Sequence, residues 1–172
     1  MTSTVVASCS RSCFINADPI VHVRRELPKS KRRIRLALET NELLSDPVDA
    51  IEVFYHIKNI NDPEHPYSLE QLDIVSVENI RVHSEAQFIQ VYFTPTVPHC
   101  SMATLIGLAI RRKLQESLAG RFKTEVLVFP GSHSSESAVN KQLNDKERVA
   151  AALENTNLLE KVNLCLRGNL VL

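Results

Sequence analysis

Apolar and polar positions follow three rhythms along this chain. Over residues 1–44 there is no period: Ser, Arg, Thr and small apolar residues mix without forming a stripe. Such a segment buries too little apolar surface to repay its ordering entropy, and it reads as a basic, disordered tail. Leu36–Leu44 supports at most a short helical turn. From residue 45 the period becomes helical. Ser45-Asp46-Pro47 is a helix start, with Asp46 as cap and proline in the first turn. Val48, Ile51, Phe54 and Tyr55 recur at helical spacing, and Val53, Ile57 and Ile60 widen the stripe. Asn61-Asp62-Pro63-Glu64-His65-Pro66 breaks it, and Ser68-Leu69-Glu70-Gln71 is a capping box on a short turn.

Strand rhythm follows. Val75 and Val77 share one parity, while Ile80 and Val82 share the other, which predicts a break near Asn79. Phe88–Phe93 is a second strand, and the polar Ser84-Glu85-Ala86-Gln87 between the two suits a hairpin. The helical period then returns in its clearest form. Met102, Leu105, Ile106, Ala109, Ile110, Leu114, Ser117 and Leu118 make one face, Arg111, Arg112, Gln115 and Glu116 the other, with Gly120 placed to end the helix. Thr124–Phe129, with Val126, Leu127 and Val128 in succession, is expected to be a strand buried on both faces. Ser135 or Ser137 can cap a helix to about Asn144, Asp145 the next, and Thr156 opens a last helix carrying Leu158, Leu159, Val162 and Leu166. The order is helix, strand, strand, helix, strand, helices. It predicts an α+β fold, a small three-stranded mixed sheet packed with helices, over residues 45–172.

Charge changes the picture only locally. The net formal charge is zero, so bulk electrostatics makes no case for direct nucleic-acid binding. Residues 1–45 nevertheless carry eight Lys/Arg against four Asp/Glu, with the excess gathered in Lys29–Arg35. That run reads as a solvated tail first and a nuclear address second. No apolar run is long enough for a membrane span, and no secretory h-region is present. Cys9, Cys13, Cys100 and Cys165 show neither a disulfide framework nor zinc-ribbon spacing. A reducing, intracellular compartment is the natural expectation. A Ser- and Arg-rich, acid-poor mitochondrial transit peptide over residues 1–35 is the rival reading.

The candidate chemistry lies in Phe93-Thr94-Pro95-Thr96-Val97-Pro98-His99-Cys100-Ser101. Prolines and threonines stiffen the approach, and a cysteine arrives where a helix begins. The free N–H groups and positive dipole end of a helix favour a thiolate there. Cys100 is therefore expected to be acidified, nucleophilic and fit for a soft metal. The plainer alternative is a small buried hydrophobe. His99 and His133 are auxiliary candidates, since imidazole suits iron and zinc, against histidines that bond only loop backbone. Asp62 and Glu64 could contact a metal or partner, or could simply cap their turn. Thr94 and Thr96 are expected to satisfy loop N–H groups, and Cys165 to lie in the core. Cys9 and Cys13, in a lone C-x₃-C, are a weak metal signal.

Several long strings carry a family resemblance. They are Asn61–Pro66, the Phe93–Gly107 stretch ending Met102-Ala103-Thr104-Leu105-Ile106-Gly107, Pro130-Gly131-Ser132-His133, and Val139–Asn155. Over residues 46–166 the chain resembles the cytosolic iron–sulfur assembly component two family, called galla proteins in insects. The resemblance implies a non-enzymatic part in the cytosolic assembly (CIA) targeting complex, beside a WD40-propeller protein and a HEAT-repeat adaptor. It implies help in delivering [4Fe–4S] clusters to cytosolic and nuclear apo-proteins such as the helicase XPD, with links to the MMXD complex and to chromosome segregation. No tightly bound cofactor is implied, only transient iron or a cluster held at Cys100. A cluster usually takes four thiolates, so further ligands would come from a second copy in a homodimer, a partner or the client. Asp62, Glu64 and His65 in one loop, and Lys146 and Arg148 on a charged helix, are the candidate partner contacts. A pure scaffold would not need Cys100. A thiol enzyme would need a base and an oxyanion site beside it.

Overall fold

The computed structural model describes residues 19–23, 48–99 and 102–167. The expected tail, the Leu36–Leu44 turn, the Asp46 cap, the basic run, Cys9, Cys13 and Cys100 lie outside the described residues. Within the stretch read as a tail, Pro19–Val23 is described, and the His22 N–H donates to the Gln71 carbonyl at 2.7 Å.

The expected α+β architecture is present, with five α-helices and a three-stranded mixed sheet among the described residues. Helix α1 is Ala50–Ile57, capped by Asp49, whose carboxylate accepts the Glu52 N–H at 2.7 Å. The helix thus starts one turn later than Ser45-Asp46-Pro47 predicted. Asp49 lies three residues before a backbone N–H it can reach, as an N-cap must. Val53, Phe54, Ile57 and Ile60 are buried, while Tyr55 is exposed. At Ser68 the capping box is reciprocal: the Ser68 N–H donates to Gln71 Oε1, and the Gln71 N–H to Ser68 Oγ.

Val75 and Val77 are not in a strand. Val75 is buried in a connection, and Val77–Asn79 is a 3₁₀ turn, so the parity shift marks a helical turn rather than a bulge. Strand β1 is Ile80–His83 and β2 is Phe88–Phe93. They pair antiparallel across the Ser84–Gln87 hairpin, with Ile80 opposite Val91. Gln87 closes the hairpin at φ 47°. Helix α2, Ala103–Ser117, crosses back to β3, Lys123–Val128, which pairs parallel to β2 with Val91 opposite Val126.

This register sets the two faces. Ile80, Ile89, Val91, Phe93, Val126 and Val128 point into the core under the helices. Arg81, Gln90, Tyr92, Glu125 and Leu127 share the other face. Gln90 Nε2 donates there to Glu125 Oε2 at 2.7 Å, and the Arg81 guanidinium lies over the Tyr92 ring. Leu127 is therefore only half-buried, contrary to the expectation from three successive apolar residues. Among the described residues helices cover one face alone, so adjacent residues in β3 meet different environments.

Helix α2 is buried more widely than a single stripe. Leu108 is buried along with Leu105, Ile106, Ala109 and Ile110, because α1, α3, α5 and β3 all pack on this helix. After the Leu118 cap both Ala119 (φ 48°) and Gly120 (φ 70°) are left-handed, so the turn expected of Gly120 is shared with an alanine. Helices α3 (Glu136–Asn144), α4 (Lys146–Glu154) and α5 (Thr156–Arg167) follow. Asp145 caps α4 by accepting the Glu147 and Arg148 N–H groups. Helix α5 opens at Thr156 as expected, and Asn155 caps it by accepting the Asn157 and Leu158 N–H groups. Among the described residues no helix is long and apolar enough to cross a membrane.

Candidate functional site

The approach to Cys100 is held at several points. The Thr94 N–H donates to the Ile74 carbonyl and the Phe129 N–H to the Phe93 carbonyl, fixing the end of β2 between two neighbours. At its far end, the Ser134 N–H donates to the Pro98 carbonyl at 2.9 Å. The His99 Nδ1 lies 3.0 Å from Ser134 Oγ. The loop of residues 129–135 is itself braced. Ser132 Oγ donates to the Phe129 carbonyl, the Ser135 N–H to His133 Nδ1, and the Gly131 N–H to Glu136 Oε2. His99 and His133 thus meet on one loop pair, each engaging a serine of the 134–135 step. On the other side of the two undescribed residues, Met102 occupies the N-cap of α2 and offers no side-chain cap bond. In sequence, the first turn of this 15-residue helix follows Cys100 by two to three residues, and the first-turn N–H groups of any helix lack intrahelical partners.

Beside this helix start is a cavity of about 680 Å³. The Asn61–Pro66 loop forms one wall, Met102 and Leu105 of α2 the second, and Lys161, Leu164 and Cys165 of α5 the third. The loop is tightly built. Asp62 Oδ2 accepts the Glu64 N–H at 2.8 Å and the His65 N–H at 2.9 Å, and the Asn61 N–H donates to the Cys165 carbonyl. Asp62 is buried and its carboxylate is spent on the turn; Glu64 is exposed and His65 half-buried on the cavity wall. Cys165 is 4% exposed, as expected of a core residue. Burial, and then the Asp62 carboxylate, push its thiol up to about 11 against the opposing pull of its own backbone hydrogen bond. It is a poor thiolate at neutral pH.

Lys146 and Arg148 lie at the start of α4, where Arg148 Nε pairs with Asp145 Oδ2 at 3.3 Å and Lys146 is exposed. Asp62, Glu64 and His65 gather on the first cavity, whereas Lys146 lines a different groove. Among the described residues no three of His, Cys, Asp and Glu are grouped to hold a metal. Ser134, Met102 and Leu164 escaped the reading from sequence. Only the Ser132-His133-Ser134-Ser135 cluster hinted at Ser134, and nothing local placed α5 beside the Asn61–Pro66 loop.

Residues 52–128 match the family described as iron–sulfur cluster assembly protein. The chain belongs to this family. It is 53% identical over 156 residues to Protein AE7 of Arabidopsis thaliana, covering 90% of this chain and 96% of that protein. It is 55% identical over 151 residues to cytosolic iron-sulfur assembly component 2B of Mus musculus, covering 88% and 90%. It is 56% identical over 151 residues to the MIP18 family protein galla-2 of Drosophila melanogaster, covering 88% and 94%. The family match takes in α1, the Asn61–Pro66 loop, the whole sheet and α2. The loop pair and the first cavity are thus built largely from the matched region, completed by α5 and residues 129–135.

Proposed function

We propose that this chain is a non-enzymatic component of cytosolic iron–sulfur assembly, in which Cys100 is a transient thiolate ligand for iron or a [4Fe–4S] cluster passing to apo-proteins. The observation that carries it is the braced approach ending at His99, three residues before an α2 start at which Met102 makes no side-chain cap bond. A thiol held at a helix start gains from the helix dipole. One thiolate does not complete a cluster site, so the other ligands come from a partner, a client or a second copy. The assembly reading also accounts for the exposed, charged start of α4. We assign WD40-propeller and HEAT-repeat proteins as its partners, XPD-type helicases among its clients, and the cytoplasm and nucleus as its compartments, with chromosome segregation downstream.

The test is Cys100→Ser in cells, with complex recovery and client iron content measured together. Retained partner binding with lost client maturation supports the reading. If both survive, the thiol has no transfer role and the protein acts as a scaffold. Reversing charge at Lys146 and Arg148 is expected to weaken the complex with the fold intact; an undiminished complex removes that surface. In vitro, Cys100 should alkylate near neutral pH far faster than Cys165, and iron should protect it. Equal rates would rule out direct metal handling.

A further inference from the structure

Strand β3 is an edge strand, and its outer edge is only partly closed. Helix α3 seals the second half with two asparagines. Asn140 Oδ1 accepts the Val128 N–H at 2.8 Å, and Asn144 Nδ2 donates to the Val126 carbonyl at 3.4 Å. Successive residues of a strand direct their backbone groups to opposite edges. The Lys123 N–H donates inward, to the Gln87 carbonyl. Thr124 therefore shares the outward direction of Val126 and Val128, yet its N–H and C=O have no partner on that side among the described residues. Among the described residues the edge is open for one pairing unit, and natural sheets seldom leave an edge unguarded without reason.

That opening faces a groove of about 480 Å³ whose charged walls are unusual for this protein. Arg111 comes from α2, Lys123 from β3 and Lys146 from the start of α4. Arg111 is half-buried and donates through Nη1 to the Leu143 carbonyl at 2.6 Å. None of its other guanidinium donors meets a carboxylate among the described residues. Lys123 lies over the Phe88 ring, and Lys146 is exposed. The one acid on the wall, Glu125, already accepts from Gln90. Three cations against one engaged carboxylate make a locally positive groove on a chain of zero net charge. Phe122 supplies apolar surface beside them.

An open strand edge supplies backbone pairing, and flanking cations choose the side chains that come with it. We propose that this groove binds an extended, acidic segment of a partner protein, its backbone pairing with β3 at Thr124 and its carboxylates meeting Arg111, Lys123 and Lys146. The proposal deepens the reading of the chain as an assembly component acting through protein contacts, and names the chemistry of one such partner. Strand addition orders few residues of the host, so the groove is ready in the free protein. Lys146 is the hinge between the two ideas: it was singled out as a partner contact, and here it becomes one wall of a defined groove.

The probe is a fluorescein-labelled octapeptide of alternating Glu and Val, titrated with the full chain and read by anisotropy. Saturable binding that weakens steeply with salt is expected. The Lys123→Glu/Lys146→Glu double variant should lower affinity by about tenfold or more, and Arg167→Glu should leave it unchanged. Thr124→Pro, which removes the edge donor, should weaken binding without altering the salt dependence. If that variant does not fold, the charge reversals decide alone. Absence of saturable binding, indifference to the double reversal, or equal binding of an alternating Lys–Val peptide overturns the proposal. Displacement of the peptide by low inorganic phosphate marks a small-anion site and overturns it as well. Because the probe needs no iron and no partner, failure of the iron–sulfur role leaves this result standing. A complex that survives the double reversal while the peptide is lost assigns the groove to a different protein partner.

Discussion

Gly107 lies in α2 where that helix meets α3, and replacing it with alanine tests how closely the two are packed. A Cβ at this position would stand 2.8 Å from Leu143 Cδ2 and closer still to Cδ1. Leu143 is fully buried, and its own carbonyl is held by Arg111, so the side chain has little room to retreat. Forcing one methyl into such a core costs roughly 1–3 kcal/mol. Alanine regains roughly 0.5–1 kcal/mol over glycine in a helix interior. The expected net is a destabilisation of about 1–2 kcal/mol, or a fall in Tm of roughly 3–8 °C for a domain of this size. Urea and thermal unfolding of Gly107→Ala, Leu143→Ala and the double variant give the full cycle. Leu143→Ala alone should cost about 2–5 kcal/mol. The new methyl then enters the space vacated, so the double variant should be roughly 0.5–1 kcal/mol more stable than Leu143→Ala. Strict additivity, or stabilisation by Gly107→Ala alone, would show that Leu143 yields freely and that the close approach is not a constraint.

Three further outcomes are expected. The Cys165 thiol is held up at about 11 in the fold against an ordinary 9.0, so the folded state keeps a proton that the unfolded state releases. Stability should therefore be fully present below about 9 and fall as pH rises toward about 11, by roughly 2–3 kcal/mol, and the slope should vanish in Cys165→Ala; denaturant melts across that pH range that show no difference in slope would refute it. Asn140→Ala leaves the Val128 N–H without its acceptor and should cost about 1–3 kcal/mol, with faster amide exchange at Val128 read by hydrogen exchange. Asp49→Ala removes the α1 cap and should cost about 1 kcal/mol in chemical denaturation; an unchanged midpoint would show that the cap contributes nothing.

Local pattern determined a good deal of this protein. The period change from helical to alternating placed β1 and β2, the hairpin between them, α2 and the three closing helices, because burial on one side imprints 3.6- or 2-residue spacing on any chain that folds this way. The Asp145 cap was legible for the same reason, since its partners are two and three residues away. The long strings around Asn61–Pro66 and Met102–Gly107 carried the family. Tertiary structure alone decided the rest. Leu127 looks like its neighbours in sequence, yet only the layout of helices on one face of the sheet leaves it half-buried. Asp49 stands among several polar residues before the first apolar helical stretch, and only backbone geometry shows that its carboxylate reaches the Glu52 N–H. The cavity joins a loop at residues 61–66 to a helix near residue 165, and the His99–Ser134 contact spans 35 positions. Among the described residues, the two asparagines of α3 meet β3 at Val126 and Val128 and stop short of Thr124. Contacts between residues so far apart leave no periodic trace in the chain, because they depend on how finished elements pack and not on how each one forms.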